Sequence, residues 1–135
     1  MTQPGEPTVA ETDHRSRLDA LPVRDEQAAL ASTEGDSSLA DELLEALLAG
    51  LPAEIEDLRA CVAESDWAGL SEHAHQMRGA TGYCGVPALD EAIQALERAA
   101  RVGDAERVAE CVIGVELQAH RLVDAVASGS IGASR

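Results

Sequence analysis

The sequence predicts an all-α fold, an antiparallel four-helix bundle with a short additional N-terminal helix. Three observations predict it. Apolar residues recur alternately three and four apart from about residue 40 to residue 126, the spacing of a buried helix stripe. Asp, Gly and Pro punctuate that pattern at intervals of one helix length. Phe is absent, and Trp67 and Tyr83 are the only aromatics, so the core must be built from Leu, Ala, Val and Ile. At 135 residues the chain suits one domain and leaves no room for a kinase or nucleotide-binding domain beside it.

Residues 1–20 hold Pro4, Gly5, Pro7 and many polar side chains with no apolar period, and are expected to be a disordered tail. The bundle is expected over 21–128. A short lead-in helix is expected over 24–31, stopped by Ser32-Thr33-Glu34-Gly35. Asp36 offers a side-chain acceptor to the orphan amides of the next helix. That helix presents Leu44, Leu48, Leu51, Ile55, Leu58 and Val62, a bundle seam rather than a strand. Gly50 and Pro52 interrupt it, and proline removes a backbone donor, so a kink or two abutting helices are expected there.

Asp66 begins a helix striped with Leu70, Ala74, Met77, Thr81 and Cys84. Gly85 fits a left-handed C-terminal cap, and Pro87 fits the first position of the following helix. The next stripe is Leu89, Ile93, Leu96 and Ala100, ended by Gly103. Asp104 then caps a last helix with Val108, Val112, Val115, Ala119, Leu122 and Val126 inward. Residues 129–135 are expected to form a disordered C-terminal tail.

Ten Lys and Arg against 25 Asp and Glu give a net charge of −15. Nucleic acid and anionic membrane surfaces are excluded as partners, because both need clustered cations. No run approaches the ~18 apolar residues of a membrane span, and the N-terminus has neither the basic nor the apolar region of a signal peptide. A cytoplasmic location and a monomer are expected. Cys61, Cys84 and Cys111 are odd in number and far apart, the pattern of unpaired thiols in a reducing compartment.

The helix after Asp66 carries the chemistry. At about 100° per residue, its five stripe residues fall within roughly 40° of one direction, the core. His75 lies roughly 140° away, Gly79 roughly 180°, Gly82 roughly 120° and Arg78 roughly 80°, while His73 stays near the core boundary at roughly −60°. An interior helix glycine costs about 1 kcal/mol relative to alanine. A bare backbone beside an exposed imidazole makes sense if another molecule must approach that ring; the alternative is fraying near Gly82 to Gly85. His73 and His75 are about 200° apart and cannot share an ion, since helical metal pairs need i, i+4 spacing. His14 and His120 read as ordinary surface or boundary residues. In a hairpin turning near Gly85, Gln94, Glu97 and Arg98 lie level with His75 and are candidates to orient it or to meet a partner.

His75-Gln-Met-Arg-Gly79-Ala-Thr-Gly-Tyr-Cys-Gly85 resembles the H-x-[apolar]-[KR]-G-x-x-x-x-x-G signature of histidine-containing phosphotransfer (HPt) domains. The run Gly82-Tyr83-Cys84-Gly85-Val86-Pro87, with Leu21-Pro22-Val23 and Leu51-Pro52, is similar to the variant at the C-terminus of BarA/GacS-type hybrid sensor kinases. The resemblance spans roughly residues 20–127. It implies a phosphorelay carrier, in which His75 accepts a phosphoryl group from an aspartyl phosphate on a receiver domain and passes it to another receiver. It implies that Arg78 takes the phosphate-side position usually held by Lys, and that Gly79 and Gly85 are the motif glycines. Gly82 belongs to the partner-docking face, and Glu97 takes the position where some members carry a polar residue near the histidine. Receiver domains and a hybrid sensor kinase are the implied partners. No cofactor of its own is expected, the divalent metal for transfer between Asp and His coming from the receiver. No ATP-binding motif is present, so the chain is expected to be a carrier rather than an enzyme. Two other readings remain: a non-phosphorylated helical adaptor that docks to receivers, and a small enzyme using His75 as a general base.

Overall fold

A computed structural model describes residues 9–131, with side chains from residue 14 onward. Six helices follow one another: α1 Val9–Ala20, α2 Glu26–Ser32, α3 Ser37–Ala63, α4 Trp67–Cys84, α5 Pro87–Val102 and α6 Ala105–Ala127. No strand occurs among the described residues. The joints between the last four helices are only two or three residues long, so successive helices reverse direction and pack on each other. Contacts of α3 with α6 close the ring of four.

Aspartates start four of the helices. Asp25, Asp36, Asp66 and Asp104 each accept a hydrogen bond from the backbone N–H three residues on, at 2.9–3.1 Å. Pro87 begins α5, and Gly85 and Gly103 end α4 and α5 in the left-handed region, at φ +66° and +76°. Inside the ring Leu44, Leu51, Leu58, Leu70, Leu89, Ile93, Leu96, Val108, Val115 and Leu122 are buried, as the stripes require. Leu48, Ile55, Val62 and Val126 pack half-buried at the margins.

Three expectations are corrected. Residues 9–20 form a helix rather than a disordered tail; the rest of that expectation, residues 1–8, lies outside the described residues. The helix α1 lies across α5 and α6, burying His14 and Leu18. The notch that receives them is Gly114 of α6, where a Cβ would stand 3.2 Å from His14 Nε2 and 3.3 Å from a Leu18 methyl. Gln118 donates to Asp19, and Arg121 donates to the carbonyls of Leu18 and Leu21, so polar contacts tie both sides of the joint. Secondly, α3 continues without interruption through Pro52, whose ring faces solvent. Proline forfeits only one ladder bond there, while Leu44, Leu51 and Leu58 anchor the helix on both sides. Thirdly, residues 129–131 continue α6 as a turn, with Gly129 at φ +77° and Ile131 against the core; 132–135 lie outside the described residues.

The lead-in helix α2 starts at Glu26, so Arg24 precedes its cap, buried beside the turn after α4. Asp25 N–H donates to the Gly85 carbonyl at 2.8 Å, and a Cβ on Gly85 would come within 2.7 Å of the Asp25 carbonyl oxygen. Glycine at 85 is thus demanded twice, by its backbone angle and by α2 pressing on it.

Candidate functional site

Five residues of α4 face inward as the wheel requires: Leu70, Ala74, Met77, Thr81 and Cys84 are all buried. That fixes the opposite ridge. His75 stands on it with its side chain 66% exposed, and Gly79 and Gly82 follow with open space where a Cβ would be. His73 turns to the other flank, where its Nε2 meets Glu54 Oε2 of α3 at 2.6 Å.

The helix α5 supplies the floor beside His75. Its inner face is largely alanine and leucine, and Glu97 lies among them with its side chain only 2% exposed. Three donors converge on this carboxylate. His75 Nδ1 lies 3.2 Å from Oε2, Arg78 Nη1 donates to Oε1 at 3.0 Å, and Arg101 Nη2 donates to Oε2 at 2.5 Å. Burial alone would raise the Glu97 carboxyl; the Arg78 hydrogen bond, the Arg101 charge and His75 outweigh it and hold it below its ordinary value of 4.5. Glu97 is therefore ionised at neutral pH and accepts only. With Glu97 as acceptor the proton of this contact sits on His75 Nδ1, and the rest of the ring is open to solvent. One carboxylate against two guanidiniums leaves the cluster with one net positive charge, inside a chain of charge −15.

The other residues expected at this level divide. Gln94 donates to Asp90, which also accepts from Thr81, and Arg98 lies 3.5 Å from Glu91, so neither reaches His75. Gly85 is buried under α2, away from the His75 ridge, and serves the turn. Arg101 is the residue that the sequence reading missed. Its signal was present, because Glu followed four residues later by Arg is a favourable helix pair.

Towards the N-terminus of α4, His75 and Arg101 line a shallow groove with Trp67, Ser71, Val102 and Gly103. Val102 is exposed at its rim. No group of metal-ligating side chains occurs among the described residues, and the three cysteines are free, their thiols pushed up chiefly by burial. No described helix is long and apolar enough to cross a membrane.

Against known proteins, the Hpt domain family model matches residues 42–129. Sensor histidine kinase GacS of Pseudomonas protegens is 39% identical over 89 residues, 66% of this chain and 10% of that one. Sensor protein GacS of Pseudomonas syringae pv. syringae is 41% identical over 75 residues, 56% of this chain and 8% of that one. This chain thus spans about a tenth of the length of these relatives. The crystal structure of the HPT domain of a sensor hybrid histidine kinase from Shewanella superposes with a TM-score of 0.68 at 25% identity, covering 79% of this chain and 92% of that one. The bundle, its exposed histidine ridge and these likenesses have one conclusion: the chain belongs to the Hpt domain family, whose members carry phosphoryl groups in phosphorelays.

Proposed function

We propose that this protein carries a phosphoryl group on His75, taking it from the aspartyl phosphate of one receiver domain and giving it to another. The observation that carries the reading is the Nδ1–Glu97 contact on a ring that is otherwise open to solvent. In the forward step the Nε2 lone pair attacks phosphorus, the bond from phosphorus to the aspartyl oxygen breaks, and the aspartate leaves as a carboxylate. No proton has to move, because Nε2 bears none. The ring becomes positively charged as the N–P bond forms, and the Glu97 carboxylate offsets that charge. Arg78 supplies a cation on the same face for the phosphoryl oxygens. Gly79 and Gly82 leave room for the partner's reacting aspartyl phosphate to come within about 3–3.5 Å of the nitrogen, as in-line transfer requires.

The proposed partners are receiver domains, one of them belonging to a hybrid sensor kinase, and the divalent metal for the transfer belongs to the receiver. The protein acts as a carrier and makes no phosphoryl donor of its own. Incubation with a phosphorylated receiver tests this: acid-labile, alkali-stable label is expected on histidine. His75→Gln is expected to take no label and to melt within about 0.5 kcal/mol of wild type, as exposed substitutions do. Label retained by that variant refutes the assignment.

A further inference from the structure

The two contacts on Glu97 Oε2 are unequal. Arg101 lies 2.5 Å from that oxygen and His75 Nδ1 lies 3.2 Å from it, long for a hydrogen bond to a charged acceptor. Arg101 and His75 thus share one carboxylate oxygen. Arg78 holds the other oxygen, so the plane of the carboxylate is fixed by two arginines and the imidazole adjusts to it. We infer that Arg101 is a positioning residue for phosphoryl transfer, holding Glu97 Oε2 where it receives the His75 Nδ1 proton and so keeping Nε2 unprotonated for attack. The inference rests on the reading of His75 as phosphoacceptor, and it concerns a residue outside the histidine motif.

An exposed ion pair ordinarily contributes little, because two long side chains must both be ordered. Here one partner is already immobile. Glu97 is itself buried, its side chain 2% exposed, so Arg101 gives up most of the freedom lost on pairing. Without Arg101, Oε2 has His75 as its sole remaining partner, and that ring is itself largely exposed. The carboxylate can then turn away, and the two neutral tautomers of the imidazole compete. The tautomer with the proton on Nε2 has no lone pair there and cannot attack. Loss of a member from such a network corresponds to a rate reduced roughly threefold to tenfold.

The test compares wild type, Arg101→Gln and Arg101→Lys in two measurements. Long-range proton–nitrogen NMR of the imidazole rings reads the His75 tautomer with no partner present. Single-turnover transfer from a phosphorylated receiver, at saturating receiver, reads the chemical step apart from docking. Wild type is expected to show the proton on Nδ1 alone. Arg101→Gln is expected to show a mixture and to transfer roughly threefold to tenfold more slowly, with unchanged receiver affinity and melting temperature. Arg101→Lys, which keeps the cation, is expected to restore both readouts towards wild type. A wild-type tautomer in Arg101→Gln overturns the inference, whether the rate is unchanged or reduced; a reduced rate would then mean that Arg101 meets the partner directly. A tautomer shift with no label on any variant overturns the phosphoacceptor reading, and with it any role in transfer, while the hold of Arg101 on the His75 tautomer stands.

Discussion

Two histidines sit at helix–helix seams of this bundle in opposite circumstances. At the α4–α5 seam His75 is exposed, and its inner nitrogen faces a buried carboxylate. At the α1–α6 seam His14 is buried, and its Nε2 faces the Gly114 notch with no hydrogen-bond partner among the described residues. Around His75 the fold brings a compensating charge inward and leaves the far side of the ring open. Around His14 it closes the space and supplies mostly cations: Arg17 on its own helix, Arg98 on α5 and Arg107 on α6, against Glu91 of α5. Burial first, then Arg107 and Arg17, push the His14 pKa below 6.5. In the proposed carrier role the His75 ring gains charge, whereas His14 is placed where a charge is disfavoured. Position on a helix seam does not tell the two histidines apart; the charge placed behind the ring and the space in front of it do.

The largest effect should come from closing the space in front of His75. Gly79→Leu is expected to slow transfer from a phosphorylated receiver by about a hundredfold, the scale of a misplacement near 1 Å. Its melting temperature should equal or exceed that of wild type, since leucine is the better helix former and its Cβ meets nothing. A timed transfer assay beside a melting curve checks both; transfer at the wild-type rate would break the contrast.

Acid should separate the two seams. A depressed folded-state pKa means that the unfolded chain binds more protons, so the stability it brings is present above the unfolded value and lost as pH falls. For His14 that loss begins near 6.5, whereas for Glu97 it begins only near 4.5. Melting temperatures measured between pH 7.5 and 5.5 are expected to fall for wild type and to fall less for His14→Leu. Equal slopes would show that His14 is as readily protonated folded as unfolded.

The smallest effect sharpens the comparison through the two glycines. Gly79→Ala is expected to stabilise the bundle by up to ~1 kcal/mol. Gly114→Ala has the same propensity gain but must move His14 and Leu18, so denaturant unfolding should show it falling short of Gly79→Ala. Equal gains would mean that α1 rests loosely on its notch.

The four long helices were legible because their stripes repeat over many turns and their caps are local. The helix α1 was not, since Val9–Ala20 has little apolar period and, among its described side chains, His14 and Leu18 turn inward to a gap in another helix. Such complementarity between residues about a hundred apart leaves no local mark. Pro52 misled for a related reason: the pattern registers the lost donor and not the leucines that hold the helix on either side of it. At the site, the His75 ridge and the level of Glu97 followed from helix geometry alone. Which polar residue at that level turned inward did not, because Gln94 and Arg98 differ from Glu97 in rotation by amounts that the packing of α4 on α5 decides.

The groove at the start of α4 has a consequence for how the protein is observed. Trp67 is the chain's single tryptophan, and it stands half-buried in the same groove as His75 and Arg101, its ring 3.5 Å from where a Gly103 Cβ would be. All indole emission from the unlabelled protein therefore originates beside the His75 ridge. A body that settles over that end of the bundle removes water from the indole and displaces its spectrum, whereas one that settles on the α1 side leaves it unchanged. The sequence thus carries its own optical marker for which face is occupied.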